Sequence, residues 1–296
     1  MFDLRYHVAS LAAVFVALVL GMFVGVGLSG RGFVSDAERE NLQAQIDGLR
    51  IERDEALARI GDADLRGEAF DDFVRVAYPE LVRNRLDGLS IALVFVGSVD
   101  QGLADTVRRS VADAGGRVSV LRALRVPLQV EAVDGRLGAG AETRELAGAA
   151  NRERLGREVA RELVAAGPNP VLELVAAELV EEQSGTSAAA LDGVVVARPA
   201  PPQGGETQEF LSGLYAGFAA FPGSAVGVDT SDANAPAAPV FRQRGLGTVS
   251  GVDATSGQIA LVFLLAGARP GSYGAGENAV DGTLPAPPPL PTPVAE

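Results

Sequence analysis

SIALVFVGSVDQGLADTVRRSVADAGGRVSVLRAL, residues 90–124, decides the fold. Ser90 to Val96 reads as one apolar run, the pattern of a strand covered on both faces of its sheet. Gly97 ends it, and Gly102 to Ala114 spaces its apolar residues as a helix. Gly115-Gly116 closes that helix, and Arg117 to Leu124 is a second strand. Strand, helix and strand in succession are the unit of a parallel sheet, because parallel neighbours need a crossover.

The alternation continues downstream. After a loop with Pro127, Gly135, Gly138 and Gly140, Glu142 to Ala166 reads as a long helix rich in Arg and Glu. Pro170 starts another, ending near Gly185, with Val171, Leu174, Val175 and Leu179 apolar. Gly193 to Ala197 is a third strand, followed by a Pro-rich loop and a helix from Thr207 to Ala220. Ser224 to Val228 is a fourth strand, Gly247 to Val252 a fifth, and Ser256 to Ala268 the last helix. The fold class is α/β, a mostly parallel sheet flanked by helices over 66–278. In such sheets ligands sit beyond the carboxyl ends of the strands. Those ends carry Gly97, Ser98 and Asp100, and later Pro199 to Gly205. No GxGxxG follows a strand and opens a helix; Gly274-Ala-Gly276 comes after a helix, so no dinucleotide cofactor is expected.

Upstream, Val8 to Leu28 holds 21 consecutive residues without a charge. As a helix that run is about 31 Å long, which matches a hydrocarbon core of about 30 Å. It is longer than a cleavable signal's apolar region, and Gly27 and Ser29 make a poor cleavage site. The reading is a single retained transmembrane anchor, 8–28, with a cytoplasmic flank, 1–7, and the C-terminal bulk extracytoplasmic, in the cell envelope. Arg counts on the two sides give no positive-inside signal; the orientation rests on the shortness of the flank. Gly21 and Gly25 form a GxxxG, which lets two membrane helices approach closely.

Residues 36–62 follow a heptad. Leu42, Ile46, Leu49, Ala56 and Ile60 fall alternately four and three apart, with Arg53 in the remaining slot and charges on the other faces. This spacing predicts a short coiled coil and a homo-oligomer. The alternative is an amphipathic helix packed on its own domain. Glu68 to Leu86 reads as a further helix, kinked or split at Pro79. The residues 281–296 contain six prolines and read as a disordered tail.

Composition excludes much chemistry. The chain has no Cys, no Lys and no Trp; its only His is His7 and its only Met residues are Met1 and Met22. Without Lys there is no P-loop lysine or Schiff base, and without Cys no thiol nucleophile. A Ser-His-Asp triad has no His in the globular region. Carboxylate catalysis survives, yet the many Asp and Glu residues read as solvated helix faces, so no enzyme is expected. A net charge of −13 disfavours nucleic acid.

Two stretches carry a family resemblance. FDLRYHVASLAAVFVALVLGMFVGVGL at the start and VSGVDATSGQIALVFLLAGARPGSYGAG near the end are similar to the actinobacterial MctB family, the copper-transport outer-membrane proteins. The second stretch places Val252, Asp253, Gly257, Gly271, Tyr273, Gly274 and Gly276 on the shared pattern. The resemblance implies an envelope protein of copper efflux or copper homeostasis and supplies no catalytic residues. The residues oppose a direct copper site. Copper(I) prefers thiolate and thioether, and copper(II) imidazole, and the exported part has no Cys, His or Met. Nor do short, continuously apolar strands suit a membrane barrel. Two readings follow: an oligomeric or accessory component of copper transport with no cofactor or metal of its own, or a structural scaffold presenting its domain to an envelope protein partner in cell-wall assembly or division.

Overall fold

A computed structural model of the chain describes residues 4–29, 36–185 and 190–289. The first residues of the flank, the segment 30–35 after the anchor and the tail beyond 289 lie outside the described residues. The chain divides into two compact units, Met1–Glu68 and Ala69–Glu296.

In the first unit, helix α1 covers Leu4–Ser29. Its stretch His7–Gly27 is long and apolar enough to cross a membrane. Leu11, Phe15, Met22 and Phe23 are all exposed, so the helix is apolar around its circumference, the pattern of a membrane span. Helix α2 then covers Asp36–Val82. The sequence predicts two helices there, and the structure has one. The intervening 61–67 contains no Pro, and its two glycines, Gly61 and Gly67, each cost only about 1 kcal/mol against Ala. Pro79 sits in the last turn, where its missing N–H removes one bond, and the turn ends with Arg83 N donating to Pro79 O at 3.2 Å. Exposed pairs such as Arg50–Asp47 and Arg59–Glu55 add a few tenths of a kcal/mol each.

The second unit is built on one seven-stranded sheet in the order β3-β2-β1-β4-β5-β6-β7. Its strands are β1 (Ser90–Val96), β2 (Arg117–Leu124), β3 (Val180–Ser184), β4 (Gly193–Ala197), β5 (Ser224–Asp229), β6 (Gly247–Ser250) and β7 (Ser272–Gly274). Every pairing is parallel except that of β3 with β2. Side chains of β1 alternate between two cores. Ile91, Leu93 and Phe95 join the cluster built with α3 (Gln101–Asp113), α9 (Thr255–Leu265) and the end of α2, including Val74 and Val82. Ala92, Val94 and Val96 join the cluster on the other face, built with α4 (Val130–Ala139), α5 (Arg152–Val164), α6 (Pro170–Leu179) and α7 (Gly205–Ala219). This two-residue alternation with apolar side chains on both sides explains why the central strands read as continuous apolar runs.

Several elements differ from the sequence reading. The stretch around Gly135 and Gly138 is helix α4, because Val133 and Leu137, one turn apart, are both buried. Burial of that pair overrides two glycines. The expected long helix 142–166 is two 3-10 turns followed by α5, interrupted where Gly148 takes φ +89°. The helix expected to reach Gly185 ends at Leu179, and its remainder is β3, an edge strand whose Glu181, Glu182, Gln183 and Ser184 are exposed. Charge is what an edge strand carries, and it is also what hides a strand from a search for apolar runs. Helix α8 (Ala238–Gln243) and β7 are too short to be read from pattern.

The described part of the Pro-rich tail does not leave the domain. Asp281 exchanges two hydrogen bonds with Ser272, N to O at 2.9 Å and Oδ2 from Ser272 N at 2.8 Å, while Gly274 N donates to Thr283 O at 3.0 Å. Leu284 packs on the core, Pro285 and Pro288 are buried, and the Arg85 guanidinium donates to the Pro288 carbonyl. The outer edge of β7 is thereby closed, as an exposed parallel edge requires.

Candidate functional site

The sheet order puts β1 between β2 and β4. From β1 the chain crosses to β2, and from β4 it crosses the opposite way to β5. The loops that follow β1 and β4 therefore diverge and leave a crevice at their carboxyl ends, where ligands of open α/β sheets are held. Here the crevice is a cavity of about 350 Å³ lined by Asp100, Leu103, Arg198, Pro199, Ala200 and Pro201, by Val228 and Asp229 at the end of β5, and by Thr230 and 232–235 beyond it. An adjoining hollow of about 420 Å³ shares Asp100, Leu103, Thr230 and Asp232 and adds Thr106, Ser231 and Asp253.

Each wall has a local cause. Gly97 turns the chain out of β1 with φ +102°, and a Cβ there would stand 2.8 Å from the Ala200 Cβ. The two diverging loops touch only because that residue is glycine. Asp100 caps α3, its Oδ1 accepting from Leu103 N at 3.0 Å. Asp229 ends β5 and accepts from the amides at the start of α8, the N-cap Ala237 N at 3.0 Å and Ala238 N at 2.7 Å. Burial pushes the Asp229 carboxyl up, against the two amides and Arg198, which favour its charged form.

Arg198 stands directly after β4. Its Nη2 donates to Ala235 O at 3.2 Å, and its Nε is buried with no partner. Tyr215 on α7 is 2% exposed, and its hydroxyl also has no partner. Burial raises the Tyr215 phenol, with Arg198 and Asp229 acting on it in opposite directions. Its ring meets Phe241 edge to face, centroids 4.9 Å apart. Two orphaned donors within one charge-coupled group are a departure from normal polar satisfaction.

The positions singled out in the sequence fall into separate places. Asp253 accepts from Ser231 N at 2.7 Å and from the Ser231 hydroxyl, tying the loop after β5 to the turn after β6 at the rim of the cleft. Gly257 is pressed on the Gly251 carbonyl, and Gly274, at φ +113°, on the Ser250 carbonyl. Tyr273 is buried in the core beside them, and Gly276 also has positive φ. The shared pattern at this end of the chain thus closes β6, α9 and β7, and only Asp253 reaches the cleft. Gly21 and Gly25 lie one turn apart on α1, and a Cβ on either would meet nothing within 4 Å. Leu42, Ile46, Leu49, Ala56 and Ile60 are exposed on α2. No second helix faces them among the described residues, so a coiled coil is not shown. Sequence reasoning located the loops of the cleft but missed Arg198 and Asp229. The available signal was a lone charge immediately after GVVVA and SAVGV.

Among the described residues no three His, Cys, Asp or Glu side chains come together as a metal-holding group. Of the cleft carboxylates, Asp100 and Asp229 accept from backbone amides and Asp253 from Ser231, and the α/β domain's sequence holds no Cys, His or Met.

A helix long and apolar enough to cross a membrane, a long polar helix and a doubly wound α/β domain with a crevice at its switch point follow one another along the chain. The profile of the family described as copper transport outer membrane protein, MctB, matches residues 1–284, and the chain belongs to that family. Relatives named copper transporter MctB, from Mycobacterium tuberculosis strain H37Rv and from Mycobacterium bovis, are each 32% identical to it over 121 residues. The match covers 40% of this chain and 36% of each relative.

Proposed function

We propose that this chain is a membrane-tethered component of copper homeostasis in the cell envelope, acting as an oligomer or accessory of a transport assembly and not itself coordinating copper. The family match over residues 1–284 is the observation that carries the copper assignment. The donor set is what limits it, since copper is the cargo and the cleft offers only hard carboxylate oxygens. In this reading α1 is a retained single-pass anchor, Gly21 and Gly25 its packing face, and the domain lies outside the cytoplasm. The protein is not an enzyme and uses no cofactor.

A second reading, a scaffold for cell-wall or division machinery, is favoured by one feature of α2. The four–three register of Leu42, Ile46, Leu49, Ala56 and Ile60, with Arg53 in one slot, runs on through Ala63, Gly67 and Phe70 to Val74, Ala77 and Leu81. Val74 is buried in the domain core and Leu81 packs against it, whereas Leu49 is 64% exposed. One stripe on one helix is therefore covered at its end and bare over five turns, a length typical of a parallel coiled-coil seam. Deleting the gene and scoring growth in copper beside septation separates the two readings. Copper sensitivity with normal septa supports the first; defective septa at unchanged copper tolerance overturn it in favour of the second.

A further inference from the structure

The cleft at the switch point carries charges of both signs. Arg198 is its only basic lining residue, placed at the end of β4 with a buried Nε–H that no acceptor meets. Around the opening stand the exposed carboxylates of Asp100, Asp232 and Asp253. Asp100 and Asp253 already accept hydrogen bonds from Leu103 and Ser231; Asp232 is the carboxylate of the rim least engaged with the protein. The Arg198 guanidinium lines the cavity and its described hydrogen bond there is the one from Nη2 to Ala235 O, so its outer N–H edge can take an incoming carboxylate. A bare anion that satisfied Arg198 would face these three carboxylates and that of Asp229, which also lines the cavity and already accepts from Ala237 N and Ala238 N. A bare cation drawn by the carboxylates would face the guanidinium and would find no group of three ligating side chains. A ligand with one end of each sign satisfies both.

We propose that this cleft binds a small zwitterion, an amino acid or short peptide, with its carboxylate on Arg198 and its ammonium toward Asp232 and Asp100. A cavity of about 350 Å³ is at the small end of ligand pockets and suits one or two residues. Guanidinium recognises carboxylate by paired hydrogen bonds, which gives orientation as well as affinity. The ligand's ammonium then neutralises the rim. The site stands independently of the copper reading, because it needs neither metal nor oligomer.

The test uses the full chain in detergent micelles and saturation-transfer NMR. The probes are alanyl-alanine in its L and D forms, glycylglycine, their N-acetyl derivatives and their C-terminal amides, with glucose and inorganic phosphate for comparison. At least one free dipeptide is expected to bind saturably, and capping either end to weaken it about tenfold or more. Arg198→Gln is expected to remove the preference for free carboxylate over amide. Asp232→Asn, an exposed substitution that leaves the fold intact, is expected to remove the preference for free amine over N-acetyl. Absence of saturable binding by every free dipeptide, equal binding of capped and free forms, or stronger binding of glucose or phosphate overturns the proposal. Should Arg198→Gln fail to fold, the Asp232→Asn comparison decides alone.

Discussion

Arg152 has no exposed side-chain surface and grips Asp134 by two parallel hydrogen bonds, Nη1 to Oδ1 at 2.8 Å and Nη2 to Oδ2 at 2.7 Å. Its Nε donates to Glu206 Oε2 at 2.7 Å. Asp134 lies on α4, Arg152 opens α5, and Glu206 is in the first turn of α7. One guanidinium thus fastens three helices on one face of the sheet. A buried cation is tolerated only while its partners remain. Asp134→Ala is therefore expected to lower unfolding stability by about 3 kcal/mol, the low end for a broken buried pair because Glu206 stays. Urea unfolding of the chain in micelles measures it; a loss under about 0.5 kcal/mol, the size of an exposed pair, would show that the bond is cosmetic.

The same pair sets an acid response. Hydrogen bonding to Arg152 holds the Asp134 carboxyl below its ordinary 3.8, with the Gly148 amide assisting against a smaller burial effect. Its contribution is complete above that ordinary value and is lost as pH falls from there through the lowered one. Glu162 and Asp229 act in the opposite sense, since burial raises both and acid relieves their buried charge. Asp134→Asn is expected to flatten the loss of stability with acid as pH falls below the ordinary 3.8, relative to the parent chain. Parallel melting curves across that range check it, and equal slopes would contradict it.

The sheet was legible where burial on both faces imposed continuous apolar runs, as in Ser90–Val96 and Gly193–Ala197. It was illegible where tertiary contacts decided against local pattern. Val133 and Leu137 make a helix of a glycine-rich stretch, and β2 makes a strand of Val180–Ser184. The cleft was legible as a location, because loops follow strands. Its chemistry was not, because Asp100, Arg198 and Asp229 come from separate stretches of chain that only the fold brings to one cavity.

Gly274 shows how tightly the last strand is closed. At φ +113°, a Cβ on Gly274 would stand 2.0 Å from the Ser250 carbonyl oxygen, so there is no room for one. Gly274→Ala is expected to destabilise the fold by roughly 1–3 kcal/mol through forced backbone adjustment. The same substitution at Gly135, where a Cβ meets nothing within 4 Å, is expected to stabilise or be neutral. Thermal shifts of the two variants in the same direction would refute the contrast.

The bare stripe of α2 predicts assembly. A fragment beginning at Asp36 is expected to sediment as a concentration-dependent oligomer, and Leu49→Glu to dissociate it, because a charge at a seam position would be buried unpaired. Exposed apolar side chains at Leu42, Ile46 and Ile60 otherwise remain in water. Sedimentation as a monomer at high concentration would leave the stripe without a second copy and remove oligomerisation from the proposed function.

Copper binding gives the sharpest separation between cargo and carrier. The chain has no Cys, and its only His and Met residues are His7, Met1 and Met22, all within the first 22 residues. Carboxylates are the metal-type side chains left in the α/β domain, and hard oxygen ligands suit Ca²⁺, Mg²⁺ or Mn²⁺ better than copper(I). The described carboxylates do not gather in threes. Asp229 holds helix amides, Asp134 holds Arg152, and Asp253 holds Ser231. The purified chain in micelles is therefore expected to lose copper(I) to a colorimetric chelator of about micromolar affinity. Copper phenotypes of the deletion would then arise through a partner or through the assembled membrane helices. Stoichiometric copper retained at nanomolar free metal, and released on replacing Asp100, Asp232 or Asp253, would place a metal site where the donor chemistry argues against one.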